Sequence, residues 1–280
     1  MVFFLVLLGS WGGKWVVAVL LAPNARKLVE LPKGTLLALQ AIAASSTFIV
    51  PSWCYLRFFE KTEIRALFQW RQPYTKPTLT TLSLVFAFMV VNTWFVQWNI
   101  AVKLPHWLHA FETWAIKKEA DLQEIVSLLT TFDSLKELGT GILVIGVIPA
   151  IGEELLFRGV VQRLCYQLTR NVHLAIGISA FIFSALHFQF YGLIPRLLLG
   201  ALFGYLYWWT KDLFFPIVAH FFNNTTALLA CFLGQHDVIR QDTSALQEAP
   251  TTFAIFFFAV ITGILAYSLQ RQGKQAGTIS

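Results

Sequence analysis

The feature that most constrains this chain is a series of long apolar stretches, several of which approach the ~20 residues that an α-helix needs to cross a ~30 Å hydrocarbon core. Hydrophobic residues make up 56% of its 280 residues and charged residues 13%, about half of the roughly 25% charge of soluble domains. Inside a bilayer, backbone N–H and C=O groups must be paired within the segment, which favours helices. The sequence therefore predicts an all-α fold, a polytopic transmembrane helical bundle.

The hydrophobic pattern predicts about eight spans. They cover roughly residues 1–22, 35–56, 79–102, 141–165, 172–190, 193–209, 213–232 and 252–270. The first span is interrupted by Gly12, Gly13 and Lys14, which fits a kinked, tilted or partly interfacial helix. We expect residues 1–140 to supply N-terminal helices and a linker, residues 141–270 to form a second membrane unit, and residues 271–280 to be a disordered polar tail.

The segment 103–140, between the third and fourth spans, mixes charged residues and tryptophans with regularly spaced apolar residues. This pattern fits an amphipathic helix that lies on the membrane surface. An ordinary solvated linker helix fits the same pattern, and the sequence leaves both interpretations open.

The formal charge of +6 does not indicate a nucleic-acid partner, because the basic residues are spread over short loops and form no dense block. Membrane topology and anionic lipid headgroups explain them better. The most basic connection is 57–78, which we expect in the cytoplasm together with both termini. Counting spans from there places Arg196 on the opposite side of the membrane. The compact loops favour the bacterial cytoplasmic membrane as the location.

The most informative stretch is Pro149–Gly159, in which Glu153, Glu154 and Arg158 interrupt an apolar helix at a cost of at least ~2.5 kcal/mol per charge on insertion scales. Glu154 and Arg158 are four residues apart, so they share a helix face and can form an ion pair. Glu153 lies about 100° further round the helix, which leaves its carboxylate for another partner. The alternative is that both glutamates bind Arg158 and only hold helices together, although one arginine needs one carboxylate.

Two histidines lie in other predicted spans. His187 ends an apolar run, and His220 and Asn224 lie four residues apart on one face of a later span. A single buried histidine is usually a satisfied core residue, but two histidines and an unpaired glutamate on three spans favour one converging site. A count along the spans places Glu153 near mid-membrane and His187 near the end of its helix. Tilt or shifted boundaries must close this gap.

Three motifs resemble those of a known family. The stretch 152–159 (GEELLFRG) resembles the EExxxR motif of the CAAX-processing and bacteriocin-processing protease family, 183–187 its FxxxH motif, and 220–224 its HxxxN motif. The order and spacing are those of the family, and the resemblance covers roughly residues 140–230. The first ~130 residues show no such resemblance. The family includes the type II CAAX prenyl endopeptidases and many bacterial members.

The resemblance implies an intramembrane endopeptidase whose catalytic core is the region 141–270. Glu153 would be the general base that activates a water molecule, and His187 would help to hold or deprotonate this water. His220 and Asn224 would donate hydrogen bonds to the oxyanion that forms on the peptide carbonyl. The resemblance further implies that Glu154 and Arg158 are scaffold residues or bind a carboxylate of the substrate.

The participation of a metal stays open, since Glu153, His187 and His220 also fit a zinc ligand set. The chain has no HExxH helix that would place two histidines one turn apart beside the base. The resemblance implies a glutamic-type, metal-free mechanism. We therefore expect no cofactor, with zinc as the alternative.

The expected partners are membrane lipids and a peptide or protein substrate. The sequence does not distinguish a prenylated C-terminal peptide from a bacteriocin leader or a membrane-anchored regulator. A non-proteolytic immunity or scaffolding protein that binds a partner through the same cavity is the main alternative. A proton-coupled transporter would also place glutamates and histidines in its spans, but the chain shows no inverted repeat.

Overall fold

The computed structural model describes residues 30–68, 74–236 and 251–275, and within these ranges the chain forms eight helices and no strand. The predicted all-α bundle is therefore confirmed. The helices are α1 Lys33–Glu60, α2 Thr75–Ala101, α3 His109–Thr130, α4 Leu135–Thr169, α5 Val172–Ala185, α6 Leu193–Thr210, α7 Phe214–Gln235 and α8 Thr252–Gln275.

Five of these helices, α1, α2, α4, α7 and α8, are long and apolar enough to cross a membrane. The other two apolar helices are shorter, with 18 residues in α6 and 14 in α5. At 1.5 Å per residue, α5 is only ~21 Å long and falls short of a ~30 Å hydrocarbon core. The chain is an integral membrane protein in which the two short helices pack against each other.

The predicted spans from 35–56 onward each coincide with a helix, whereas the span 1–22 lies outside the described residues. The span 172–190 was predicted too long, because α5 ends at Ala185. The N–H of His187 closes a tight turn on the carbonyl of Ser184, and Phe188 then adopts a φ of 55°. A residue in this left-handed region cannot continue a right-handed helix.

The linker and the tail also differ from the expectation. The helix α3 occupies only His109–Thr130, and α4 begins at Leu135 because the side chain of Ser134 accepts a hydrogen bond from the backbone of Glu137 and caps it. The position of α3 on the membrane surface stays a prediction. Expected disorder of the tail is wrong for residues 271–275, which continue α8, and residues 276–280 lie outside the described part.

The helix α4 is irregular around its two glutamates. The π-helical turns Ile142–Val147 and Phe157–Val161 flank the segment that carries Glu153 and Glu154. Pro149 follows the first of these turns, and proline removes a backbone hydrogen bond and clashes with the carbonyl four residues earlier, which explains the widened turn. Turns of this kind often occur at functional sites.

The helices α4 and α6 each pack against several others. The helix α4 contacts α1, α5 and α7, and α6 contacts α2, α5, α7 and α8. One cluster of buried apolar side chains joins α2, α6, α7 and α8, and consists of Leu84, Val85, Leu202, Phe203, Leu206, Ala219 and Leu269. Many large apolar side chains on the outer faces remain exposed, as expected of a surface that faces lipid.

The connections form two ends of the bundle. At the α3 end, the helix α3, the start of α1, the connections before α4 and after α5, and the last residue of α7 come together through Lys33–Glu137, Phe132–Gln235 and Glu119–Tyr191. At the opposite end, the contacts are Glu60–Arg163, Leu67–Leu213 and Tyr74–Asp212. The assignment of the opposite end, which carries part of the basic loop 57–78, to the cytoplasm stays a prediction.

Candidate active site

The two adjacent glutamates lie in the middle of α4 and are both buried. Glu153 is 7% exposed and Glu154 is 0% exposed. The ion pair predicted from the four-residue spacing is present, since Arg158 Nη1 donates to Glu154 Oε1 at 2.8 Å. Glu153 takes no part in this pair, because successive helical residues point about 100° apart.

The guanidinium of Arg158 is held by three helices. Its Nη2 donates to the carbonyl of Gly200 on α6 at 2.6 Å. The rings of Phe183 on α5 and Phe203 on α6 lie 5.2 and 5.5 Å from its Cζ, within the range of cation–π attraction. Both terminal nitrogens of Arg158 are therefore bonded within the protein, and its side chain is only 1% exposed.

The imidazole of His220 lies between the two glutamates. Its Nδ1 is 2.8 Å from Glu154 Oε1, and its ring stacks on Phe203 with a centroid distance of 5.1 Å. An ionised carboxylate only accepts hydrogen bonds, so Nδ1 carries the hydrogen and Nε2 faces the other side. Nε2 lies 3.8 Å from Glu153 Oε2, longer than a hydrogen bond. A small oxygen-containing group can contact both atoms across such a gap.

His187 lies in the turn after α5, at the edge of this cluster. Its Nδ1 is 2.8 Å from the carbonyl of Phe183, so this nitrogen is the donor and Nε2 is left as an acceptor. Its ring packs on Phe183 at 5.1 Å, and Phe183 in turn lies 6.1 Å from the ring of His220. Among the described residues, no hydrogen bond or ion pair joins His187 to Glu153. Because α5 ends at Ala185, His187 lies in the turn that follows. The ring of Phe183 packs against both histidines and so connects His187 with the cluster.

Asn224 lies one turn after His220 on α7, as the spacing predicted. Its Nδ2 donates to the carbonyl of Ile145, within the π-helical turn of α4, at 3.2 Å. Asn223 donates in turn to the side-chain oxygen of Asn224 at 3.3 Å. An amide nitrogen has two hydrogens, so the contact with Ile145 leaves one N–H of Asn224 for a ligand.

The side chains that the zinc alternative requires do not gather into a ligand set. Within the described ranges, no group of three or more histidine, cysteine, aspartate or glutamate side chains is arranged so that it could hold a metal ion. His220 already uses Nδ1 on Glu154, and His187 uses Nδ1 on a backbone carbonyl.

Three residues at or near the site were given no functional role by the sequence interpretation. Phe203 had no signal, because an apolar residue in a span can face lipid or core equally well. Asn99 is 2% exposed at the end of α2; its amide donates to the carbonyl of Phe190 and accepts from the N–H of Ile194. The available signal was an amide side chain in an apolar span, which Asn99 shares with Asn92 and Gln97. Arg196, which the sequence interpretation placed on the outer side without a functional role, lies in the first turn of α6 and is half-buried.

A comparison with protein families finds a match for the region that contains this cluster. Residues 137–226 match a family model described as type II CAAX prenyl endopeptidase Rce1-like. The segment 137–226 is thus similar to this family, and we call it the Rce1-like region. This match confirms the resemblance drawn from the three motifs, and the Rce1-like region contains Glu153, His187, His220 and Asn224.

One curated relative matches a part of the chain. It is described as uncharacterized protein YpbD of Bacillus subtilis (strain 168) and is 32% identical over 105 residues, which is 36% of this chain and 49% of that protein. The match thus spans about half the length of the relative. No solved structure matches the chain.

Proposed function

We propose that the protein is an intramembrane endopeptidase in which Glu153 activates a water molecule for attack on a peptide bond. The observation that carries this proposal is the pair formed by Glu153 Oε2 and His220 Nε2, 3.8 Å apart and buried within the Rce1-like region. The other side of His220 is fixed by Glu154, which is itself paired with Arg158. This support orients the imidazole toward Glu153.

The proposed mechanism starts from one protonation state of the pair. In this state Glu153 is a carboxylate that can accept a proton, and His220 carries a hydrogen on Nε2 as well as on Nδ1. The pair then supplies a base and an oxyanion donor together.

The reaction then needs only these side chains and water. Glu153 takes a proton from the water as its oxygen bonds to the peptide carbonyl carbon, and His220 Nε2–H donates to the developing oxyanion. Glu153 returns the proton to the amide nitrogen as the carbon–nitrogen bond breaks. The free acceptor on His187 would orient the water, and the second N–H of Asn224 would add a hydrogen bond to the oxyanion. We assign Glu154 and Arg158 a scaffold role, because Glu154 Oε1 and both terminal nitrogens of Arg158 are bonded within the protein.

The proposed substrate is a membrane-associated protein or peptide, and a prenylated C-terminal peptide is the first probe. The proposed location is the bacterial cytoplasmic membrane. The test is cleavage of a quenched fluorescent, prenylated C-terminal peptide by the detergent-purified chain. Glu153→Gln should lower the rate by about 10²–10⁴, the usual contribution of a general base. Glu124→Gln, the same change at an exposed position of α3, is the matched control and should keep the rate.

A zinc chelator separates the glutamic mechanism from the metal alternative. The glutamic mechanism predicts that cleavage survives the chelator. Loss of cleavage that added zinc restores would overturn it in favour of a metalloenzyme. Cleavage by Glu153→Gln at the wild-type rate would exclude Glu153 as the base, and no cleavage by the wild type would remove prenylated peptides as the substrate class.

A further inference from the structure

Arg196 is a half-buried cation near the cluster whose hydrogen-bonding capacity is only partly used. It lies in the first turn of α6, at the α3 end of the bundle. Its Nη2 donates to the side-chain oxygen of Gln189 at 2.5 Å. Its Nη1 is buried and, within the described residues, has no hydrogen-bond partner. An unpaired buried guanidinium nitrogen is costly, which points to a partner that arrives from outside.

Among the described residues, the charge of Arg196 is also not neutralised by a close carboxylate. In the described part of the chain, no carboxylate oxygen lies within 4.0 Å of its nitrogens, in contrast to Arg158 and Arg163. Glu153 and Glu119 act on it electrostatically from longer range, and its charge acts on His187. Arg196 is thus close enough to influence the proposed base, but free to bind an additional anion.

The surroundings of Arg196 hold it in place. The guanidinium packs over Gly192, where a Cβ atom would lie 3.2 Å from Nη2 and 3.4 Å from Nη1, so any larger residue would crowd it. The connection before α6 is fixed by the side chain of Asn99 and by Glu119 Oε2, which accepts from the N–H of Tyr191. Arg196 therefore lies on a part of the chain that three helices hold in place.

We propose that Arg196 is a specificity-determining residue that binds a carboxylate of the substrate. A guanidinium presents paired N–H groups that match the two oxygens of a carboxylate. Arg158, the other candidate for this task, is committed to Glu154 and Gly200. The inference rests on the proposed function, because the carboxylate belongs to the molecule that reaches Glu153. The carboxylate is either the C-terminus of the substrate or an aspartate or glutamate close to the scissile bond.

The test measures binding rather than cleavage, so it does not depend on catalysis. The Glu153→Gln protein is titrated with three fluorescent versions of one short prenylated peptide: a free C-terminal acid, the C-terminal amide, and the amide with one neutral residue replaced by aspartate. A bound carboxylate should tighten binding at least about tenfold over the plain amide, the low end for a charge-assisted contact. The peptide that gains affinity identifies the source of the carboxylate.

Variants assign the preference to Arg196. In the Glu153→Gln background, Arg196→Gln should reduce the preference for a carboxylate to less than about twofold, and Arg196→Lys should keep part of it. Arg170→Gln, the same change at an exposed arginine outside the cluster, should leave the preference unchanged. A purely structural role would weaken binding of all three peptides equally. Equal affinity for the acid, amide and aspartate peptides overturns the proposal, whether or not the wild type cleaves any of them.

Discussion

Replacing Glu154 is predicted to destabilise the protein much more than replacing the adjacent Glu153. Glu154 is fully buried, and its Oε1 lies 2.8 Å from Arg158 Nη1 and from His220 Nδ1. Glu154→Gln keeps the shape but leaves the charge of Arg158 uncompensated, which typically costs about 3–5 kcal/mol. Among the described residues, the contact that Glu153 makes with His220 is longer, at 3.8 Å. Glu153→Gln should therefore remain within about 1 kcal/mol of the wild type.

The assay is equilibrium unfolding in mixed micelles with increasing SDS, followed by the fluorescence of the ten tryptophans. A thermodynamic cycle isolates the ion pair. Arg158→Met added to Glu154→Gln removes the orphaned charge, so the double variant should be less destabilised than the sum of the single variants by at least about 2 kcal/mol. Equal stability of the two glutamine variants, or additive effects in the cycle, would refute the assignment of Glu154 as the buried structural partner.

Two further substitutions test the framework around the site. Gly204→Ala should destabilise the bundle by about 1–3 kcal/mol in the same unfolding assay. The new methyl carbon would lie 2.8 Å from the side-chain oxygen of Gln162 and 2.9 Å from a methyl of Ile176. Wild-type stability of this variant would mean that α5 and α6 are not this close. Asn99→Leu should remove the hydrogen bonds that Asn99 makes to the backbone of Phe190 and Ile194. Backbone hydrogen exchange in residues 188–194 should therefore rise relative to that in α7. Unchanged exchange would contradict the role of Asn99 in holding that connection.

The parts of the site that the sequence predicted are those set by local geometry. Glu154 and Arg158 are four residues apart on one helix, so their pairing follows from the helical period alone. Charged residues inside an apolar helix are costly, so their presence already marked α4 as the helix to examine. The position of Asn224 one turn after His220 follows from the same period.

The parts that the sequence missed depend on packing between helices. Phe203 looks like any other apolar residue of a span, since side chains that face lipid and those that face the core are equally hydrophobic. Its contacts with Arg158 and His220 arise only when α4, α6 and α7 come together. The hydrophobic pattern also extends past Ala185, and the left-handed backbone of Phe188 that ends α5 leaves no mark in hydropathy.

The same limitation explains Arg196. A basic residue between two apolar stretches is normally a topology signal in a connection. The helix α6 begins at Leu193, as the predicted span 193–209 does, so Arg196 lies in its first turn. The connection before it is longer than expected, because α5 ends at Ala185. The contacts of Arg196 with Gln189 and Gly192 arise in this longer connection, which the hydrophobic pattern does not show.

The most direct test of the central claim measures the masses of the products formed from the prenylated C-terminal peptide. Equal amounts of folded wild-type and Glu153→Gln protein are compared, and the stability of both is checked by the unfolding assay above. The account predicts two defined fragments from the wild type, whose masses sum to that of the peptide plus one water. It predicts at least about 100-fold less of both fragments in the same time from a Glu153→Gln protein that unfolds like the wild type. The same two fragments from both proteins at similar rates would contradict it.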